Sequence, residues 1–211
     1  RDPHRKNEPR IIKTAVHAVI EEGTEKLCCH LLCRNKNIKS VTLPDSVARI
    51  EWSAFDECTA LSRINIPDSV THIGDNAFIV CTSLAKISLP DSVTYIGDGA
   101  FNGCTSLAEI AVPDSVTEIY DWTFNECVSL EKVTLPPSVT AVGSYAFYHC
   151  TSLKEITIPD SLTRIGSGAF EKCRLEKVFL SEMAYKALSD KYDLNEIFGD
   201  AQIIFLTQNK N

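Results

Sequence analysis

Apolar residues recur along this chain on two scales. Within short stretches they alternate with polar ones, as at Ile64 and Ile66, which predicts brief strands with one buried side. Over longer distances the whole pattern returns every 23 residues. Repeats begin at Ile38, Leu61, Leu84, Leu107, Leu130 and Leu153 and share L-x-x-I-x-L-P-D-S-V-T-x-I-G-x-x-A-F-x-x-C-T-S. Prolines at 44, 67, 90, 113, 136 and 159 keep the same step, as do cysteines at 58, 81, 104, 127, 150 and 173. A fixed period of about 20–50 residues predicts a solenoid, whose units bury their apolar faces only against their neighbours.

Each unit has its own local logic. L-x-x-I-x-L is a strand, and Pro-Asp-Ser then turns the chain, because proline presets φ while Asp and Ser bond nearby backbone. V-T-x-I supplies a second extended segment. Gly74, Gly97, Gly143 and Gly166 are expected to adopt a backbone shape closed to other residues. A-F-x-x-C makes a compact turn that inserts Phe55, Phe78, Phe101, Phe124, Phe147 and Phe170 into the core as a stacked spine.

The ends depart from the repeat. Glu21 to Asn37 reads as a degenerate first unit, with Leu27 in the isoleucine column, Leu32 in the phenylalanine column and Asn35 in the cysteine column. Ile11 to Ile20 can supply an opening strand. A shortened unit starts at Leu175, with Val178 and Leu180 in register. Ser181 is the expected N-cap of a helix from Glu182 to about Tyr192, and Ala201 to Leu206 reads as a last strand. Solenoid ends expose strand edges that must be covered. The expected organisation is a polar tail over residues 1–10, a strand and degenerate capping repeat over 11–37, repeats over 38–180 and a cap over 181–211.

The motif L-P-D-S-V-T-x-I-G-x-x-A-F-x-x-C resembles the BspA-like class of leucine-rich repeat over about residues 21 to 180. The resemblance implies a right-handed leucine-rich-repeat array of about eight coils, built of short β-strands and turns and closed by a C-terminal helix–strand cap. It also implies a cell-surface or secreted role in adhesion, toward host proteins or neighbouring cells. One column differs from the more familiar leucine-rich pattern. Where an asparagine is usual, this chain has Val47, Val70, Val93, Val116, Val139 and Leu162. Apolar packing rather than an amide ladder is therefore expected there.

Charge narrows the partners. The formal net charge is −7, and the repeats carry no basic stripe of the kind that displaces counterions from phosphate, so nucleic acid is not an expected partner. The basic residues of the first thirteen positions are partly balanced by Asp2 and Glu8 and read as a solvated tail. No apolar run approaches the roughly 18 residues of a membrane span. The chain opens at Arg1 without a methionine, which reads as an excerpt or a processed form.

Nine cysteines suggest a disulfide framework until their columns are considered. Parallel Cβ vectors in stacked coils would hold Cβ atoms near the roughly 4.8 Å coil spacing rather than the roughly 3.8 Å a disulfide prefers. The ladder is therefore expected to be reduced and buried. Cys28, Cys29, His30 and Cys33 form the other sulfur cluster, spaced C-C-H-x-x-C without the second ligand pair of a zinc site. No metal and no cofactor are expected.

Catalysis finds no motif: there is no G-x-S-x-G, no phosphate loop and no H-E-x-x-H, and the histidines fall in unrelated columns. The remaining candidates are exposed residues that break the consensus. Tyr120 replaces the turn glycine, Trp122 and Tyr145 share a column on adjacent coils, and Tyr148 and His149 follow Phe147. Together they form either a recognition ridge or a set of rings packed locally over the turn. On the strand face the exposed column runs Ser40, Arg63, Lys86, Glu109, Lys132, Glu155, Lys177. Its alternating half suits sheet stabilisation, at about 0.2–1 kcal/mol per pair. Arg63, Asn65 and Lys86 are the contact candidates on what is expected to be a concave face. The reading that results is a non-catalytic scaffold for a protein partner at the cell surface or secreted. An intracellular interaction module, cytoplasmic and part of a larger protein, and a structural spacer are the alternatives.

Overall fold

The computed structural model describes residues 16–206, a solenoid of about eight coils with two helices at its C-terminal end. The expected polar tail and the first part of the opening strand lie outside the described residues, and the strand itself is His17–Val19. Two parallel ladders follow the array, each divided into separate sheets. In one, His17 pairs with Ser40 and Ser40 with Arg63, Lys86 with Glu109, Glu109 with Lys132, and Glu155 with Lys177. In the other, Lys26, Arg49, His72 and Tyr95 are successive partners, as are Glu118, Ala141 and Arg164.

The A-F-x-x-C turn is a third ladder. Trp122, Phe124 and Glu126 donate their N–H groups to the carbonyls of Ser144, Ala146 and Tyr148 in the next coil, at 3.0, 2.8 and 2.8 Å. Three donors on alternate residues point along the stack because a left-handed residue stands on each side of the phenylalanine. Trp122 has φ 53° and Glu126 φ 56°, and the same pair recurs as Ser53 and Glu57, Asn76 and Val80, and Tyr145 and His149.

Inside, neighbouring phenylalanine rings from Phe55 to Phe170 stack with centroids 5.1–5.6 Å apart. Val47, Val70, Val93, Val116, Val139 and Leu162 are buried, so that column is closed by apolar packing as expected. The serine of the Pro-Asp-Ser turn acts across coils rather than locally. Ser69, Ser92, Ser138 and Ser161 donate their hydroxyls to the carbonyls of Val47, Val70, Val116 and Val139 at 2.6–2.7 Å.

The glycine column corrects the sequence expectation. Gly74, Gly97, Gly143 and Gly166 are not in the left-handed region; that conformation belongs to the columns of Trp122 and Glu126. These glycines are required by contact instead. A Cβ on Gly166 would stand 2.4 Å from the Ser144 nitrogen, and one on Gly74 would stand 2.7 Å from that of Trp52.

The cap is also more divided than expected. Helix α1 spans Glu182–Ser189, with the Ser181 hydroxyl accepting from the Ala184 N–H at 3.0 Å. It stops short of Tyr192, whose hydroxyl accepts from the Ile165 N–H at 3.3 Å. Asp193 then caps a second helix, α2, over Leu194–Phe198. Phe198 lays its ring 5.4 Å from Phe170 and so closes the spine. The last strand, Gln202–Phe205, pairs in parallel with Lys177–Leu180 and covers the end of the first ladder.

Candidate functional site

The cysteine ladder is the largest set of reactive groups, and its geometry makes it inert. All nine thiols are free. Those of Cys58, Cys81, Cys104, Cys127, Cys150 and Cys173 each donate to a carbonyl in the preceding coil, five of them on the spine phenylalanines, at 3.0–3.2 Å. The thiol is thus a small apolar filler that adds a second hydrogen bond to a carbonyl already accepting a backbone N–H. Burial pushes Cys58 and Cys104 up to about 12, so thiolate is scarce at neutral pH. In native protein an aromatic disulfide reagent is expected to react quickly with Cys28, Cys29 and Cys33 and to reach the five buried thiols only on unfolding. Rapid reaction of all nine would contradict the buried ladder.

The N-terminal sulfur cluster is arranged differently. Cys28 is half-buried and Cys29 exposed. Among the described residues, one group of His, Cys and carboxylate donors converges: His30, Cys33 and Asp56, whose ligand atoms lie within 4.8 Å of one another. Asp56 was invisible to sequence reasoning because it belongs to the next coil, one period beyond Cys33.

Of the aromatic candidates, four form a continuous set. Trp122 and Tyr145 are parallel, with centroids 6.5 Å apart; Tyr145 meets Tyr148 at 5.7 Å, and Tyr148 meets His149 at 6.0 Å. Lys172 reaches the same place, its ammonium 4.7 Å from the centre of the Tyr148 ring. Trp122 is 46 % exposed, while Tyr145, Tyr148 and His149 are half-buried. Tyr120 belongs elsewhere. Its ring leans on Tyr95, 5.1 Å away, which in turn stacks on His72 at 4.4 Å.

The backbone beneath Trp122 and Tyr145 is unfavourable for such residues. Their column reads His30, Ser53, Asn76, Gly99, Trp122, Tyr145, Gly168, and every member has positive φ. Bulky residues in this region cost about 1 kcal/mol or more each, and such strain collects at functional sites. Gly168 makes room for the arrangement, since a Cβ there would stand 2.5 Å from the Tyr145 ring. Sequence reasoning marked these aromatics as breaks in the consensus but could not see that they occupy left-handed positions. It also passed over Trp52, 47 % exposed, whose ring meets His30 at 4.5 Å.

The strand-face candidates are less free. Asn65 engages the Leu43 backbone with both ends of its amide, accepting at 2.9 Å and donating at 3.1 Å. Lys86 pairs with Glu109 at 2.9 Å, and Lys177 pairs with Glu155 at 2.7 Å, consistent with a sheet-stabilising column. Arg63 is exposed beside Lys86 on a groove that also includes His17 and Ser40.

Among the described residues no helix is long and apolar enough to cross a membrane. A family model for the BspA type leucine rich repeat region matches the chain in six copies, over residues 28–92 and 71–193. Among solved structures, the chain is similar to a leucine rich cell surface protein from Faecalibacterium prausnitzii. Identity is 35%, coverage 79% of this chain and 48% of that one, and TM-score 0.70. A leucine-rich repeat protein from Eubacterium ventriosum has 29% identity, 77% and 44% coverage and TM-score 0.68. One from Bacteroides ovatus has 30% identity, 78% and 55% coverage and TM-score 0.60. The chain therefore spans about half the length of these relatives. No curated protein matches it.

Proposed function

Because the chain belongs to the BspA-type leucine-rich-repeat family, we propose that it is a non-catalytic scaffold that recognises a protein partner. Its contact surface is the ridge of Trp122, Tyr145, Tyr148 and His149. One observation carries this reading: a tryptophan and a tyrosine stand on adjacent coils at left-handed positions, where asparagine and glycine serve elsewhere in the same column. Folding alone favours the smaller residues there. A half-exposed indole stacked over tyrosine, rimmed by a lysine and a histidine, has the composition of an interface hot spot. The working location is the cell surface or the secreted fraction, supported by the relative described as a cell surface protein.

The test uses glycine, the residue that Gly99 and Gly168 already supply in that column. Trp122→Gly combined with Tyr145→Gly is expected to abolish capture of the partner bound by the unaltered array, with the melting temperature nearly unchanged. Retained binding that is instead lost on Arg63→Ala with Lys86→Ala would move the site to the strand face. Quenching of Trp122 fluorescence, with Trp52→Phe leaving one reporter, is expected to be strong in the free protein and reduced in the complex.

A further inference from the structure

The first coil and the second together build a group of side chains that neither holds alone. Cys33 donates its N–H to the His30 carbonyl at 3.3 Å, closing a turn in which His30 and the following Arg34 are left-handed, with φ 59° and 61°. Arg34 in turn donates its N–H to the Asp56 carbonyl at 2.7 Å, fastening this turn to the next coil. Cys33 and Asp56 share a column, so stacking brings them together, and the Cys33 thiol donates to Asp56 Oδ2 at 3.5 Å. The exposed His30 brings a ring nitrogen within 4.8 Å of the other two donors, and its ring lies T-shaped to Trp52 with centroids 4.5 Å apart.

These separations suit a metal ion. Ligands on a tetrahedral zinc, with bonds of about 2.0–2.3 Å, lie about 3.5 Å from one another. The sulfur and the carboxylate oxygen already have that spacing, and rotation of an exposed imidazole brings its nitrogen to it. The donor set is mixed: one sulfur, one nitrogen and one oxygen. Thiolate disfavours magnesium and calcium, and three protein ligands with a fourth place open is a recurrent zinc arrangement. Thiolate and carboxylate together balance a divalent charge, while the Arg34 guanidinium is engaged by Glu57 at 3.5 Å.

We propose that His30, Cys33 and Asp56 bind one zinc-class divalent cation that ties the first coil to the second and keeps its fourth position open to solvent or to a donor from a partner. Binding replaces the thiol proton with the metal and releases that proton to solvent, so affinity falls as pH is lowered. The site also has a structural use. The first coil carries Leu32 where the others carry phenylalanine, so it adds no ring to the spine, and a cross-link there holds it to the second coil.

Cobalt(II) titration of the full chain, with thiols kept reduced by a phosphine, tests this directly. One equivalent is expected to give a thiolate-to-cobalt charge-transfer band and intense four-coordinate visible bands, both removed by zinc, with a higher melting temperature. Cys33→Ser should abolish the charge-transfer band. His30→Asn and Asp56→Asn should each weaken cobalt binding by about tenfold or more, and Cys29→Ser should leave it unchanged. Asparagine suits position 30 because Asn76 holds the same column at φ 54°. Melting of each metal-free variant separates a lost ligand from a lost fold. Absence of the band at one equivalent, or its survival in Cys33→Ser, overturns the site. Cadmium NMR on the unaltered chain gives an independent reading: a shift for one thiolate ligand supports it, and a shift for two or more brings a further cysteine into the ligand set and overturns the three-residue site.

Discussion

Phe101→Ala is expected to lower stability by about 3–5 kcal/mol, the largest effect of any single truncation considered for this chain. The ring is fully buried and lies between Phe78 at 5.4 Å and Phe124 at 5.6 Å. The turn ladder holds the coils on both sides, with the Phe78 N–H donating to the Ala100 carbonyl at 2.8 Å and the Phe101 N–H to the Thr123 carbonyl at 2.9 Å, so the cavity walls are kept apart and the cost falls toward the upper end for such a truncation. Neighbouring coils share the spine, so the loss is felt as an interface term on both sides of the mutated unit. In urea, the unfolding midpoint should fall, and the melting temperature should drop by roughly 6–20 °C. An unchanged midpoint would remove Phe101 from the core and with it the repeat register.

Gly166→Ala is expected to cost about 1–3 kcal/mol, although the substitution adds only a methyl group and would often stabilise a chain. The new Cβ would meet Ser144 N at 2.4 Å and Gly143 C at 2.5 Å. These are backbone atoms held by the second ladder, where the Gly166 N–H donates to the Val142 carbonyl at 2.7 Å. No rotamer can relieve the overlap, so the coils must separate locally. Gly103→Asn is the contrasting case. Gly103 has φ 70°, a Cβ there would make ordinary contact with Val80, Cγ2 nearest at 3.4 Å, and its column already holds Glu57, Glu126, His149 and Lys172 in that conformation. It should cost less than about 1 kcal/mol. Equal losses at the two positions, read by denaturant unfolding, would mean that contact between coils is not what selects glycine at 166.

The two glycines also mark where the sequence stopped being readable. The 23-residue period and the columns of phenylalanine, valine and cysteine carry the solenoid, because burial in a stack depends only on position within the unit. What lies between units does not leave that signature. The closeness of Gly166 to Ser144, the thiol bond from Cys104 to the Phe78 carbonyl and the approach of Asp56 to Cys33 all arise from stacking distance. One sequence records residue types in a column but not the gap between its members. The left-handed column was hidden for a related reason. Its members are histidine, serine, asparagine, glycine, tryptophan and tyrosine, and only two coils there show the glycine that would announce the conformation. Of the candidate residues, Trp122, Tyr145, Tyr148 and His149 meet along one ridge, whereas Tyr120 and Asn65 are engaged by Tyr95 and by the Leu43 backbone. An isolated break in a consensus does not say which way its side chain leans.

The ladders and the spine bond each coil only to the coils beside it, which makes the array a ruler. His30 and Trp122 occupy the same column four coils apart, so the proposed cation and the indole are separated by about 19 Å along the stack. That interval is graduated in whole coils and cannot be tuned by drift of individual residues. Loss or gain of one 23-residue unit would shift the two sites by about 4.8 Å while leaving the chemistry of each untouched. A lineage can therefore re-space its contacts by duplicating or deleting coding units of fixed length, matching a partner of different reach without redesigning either end.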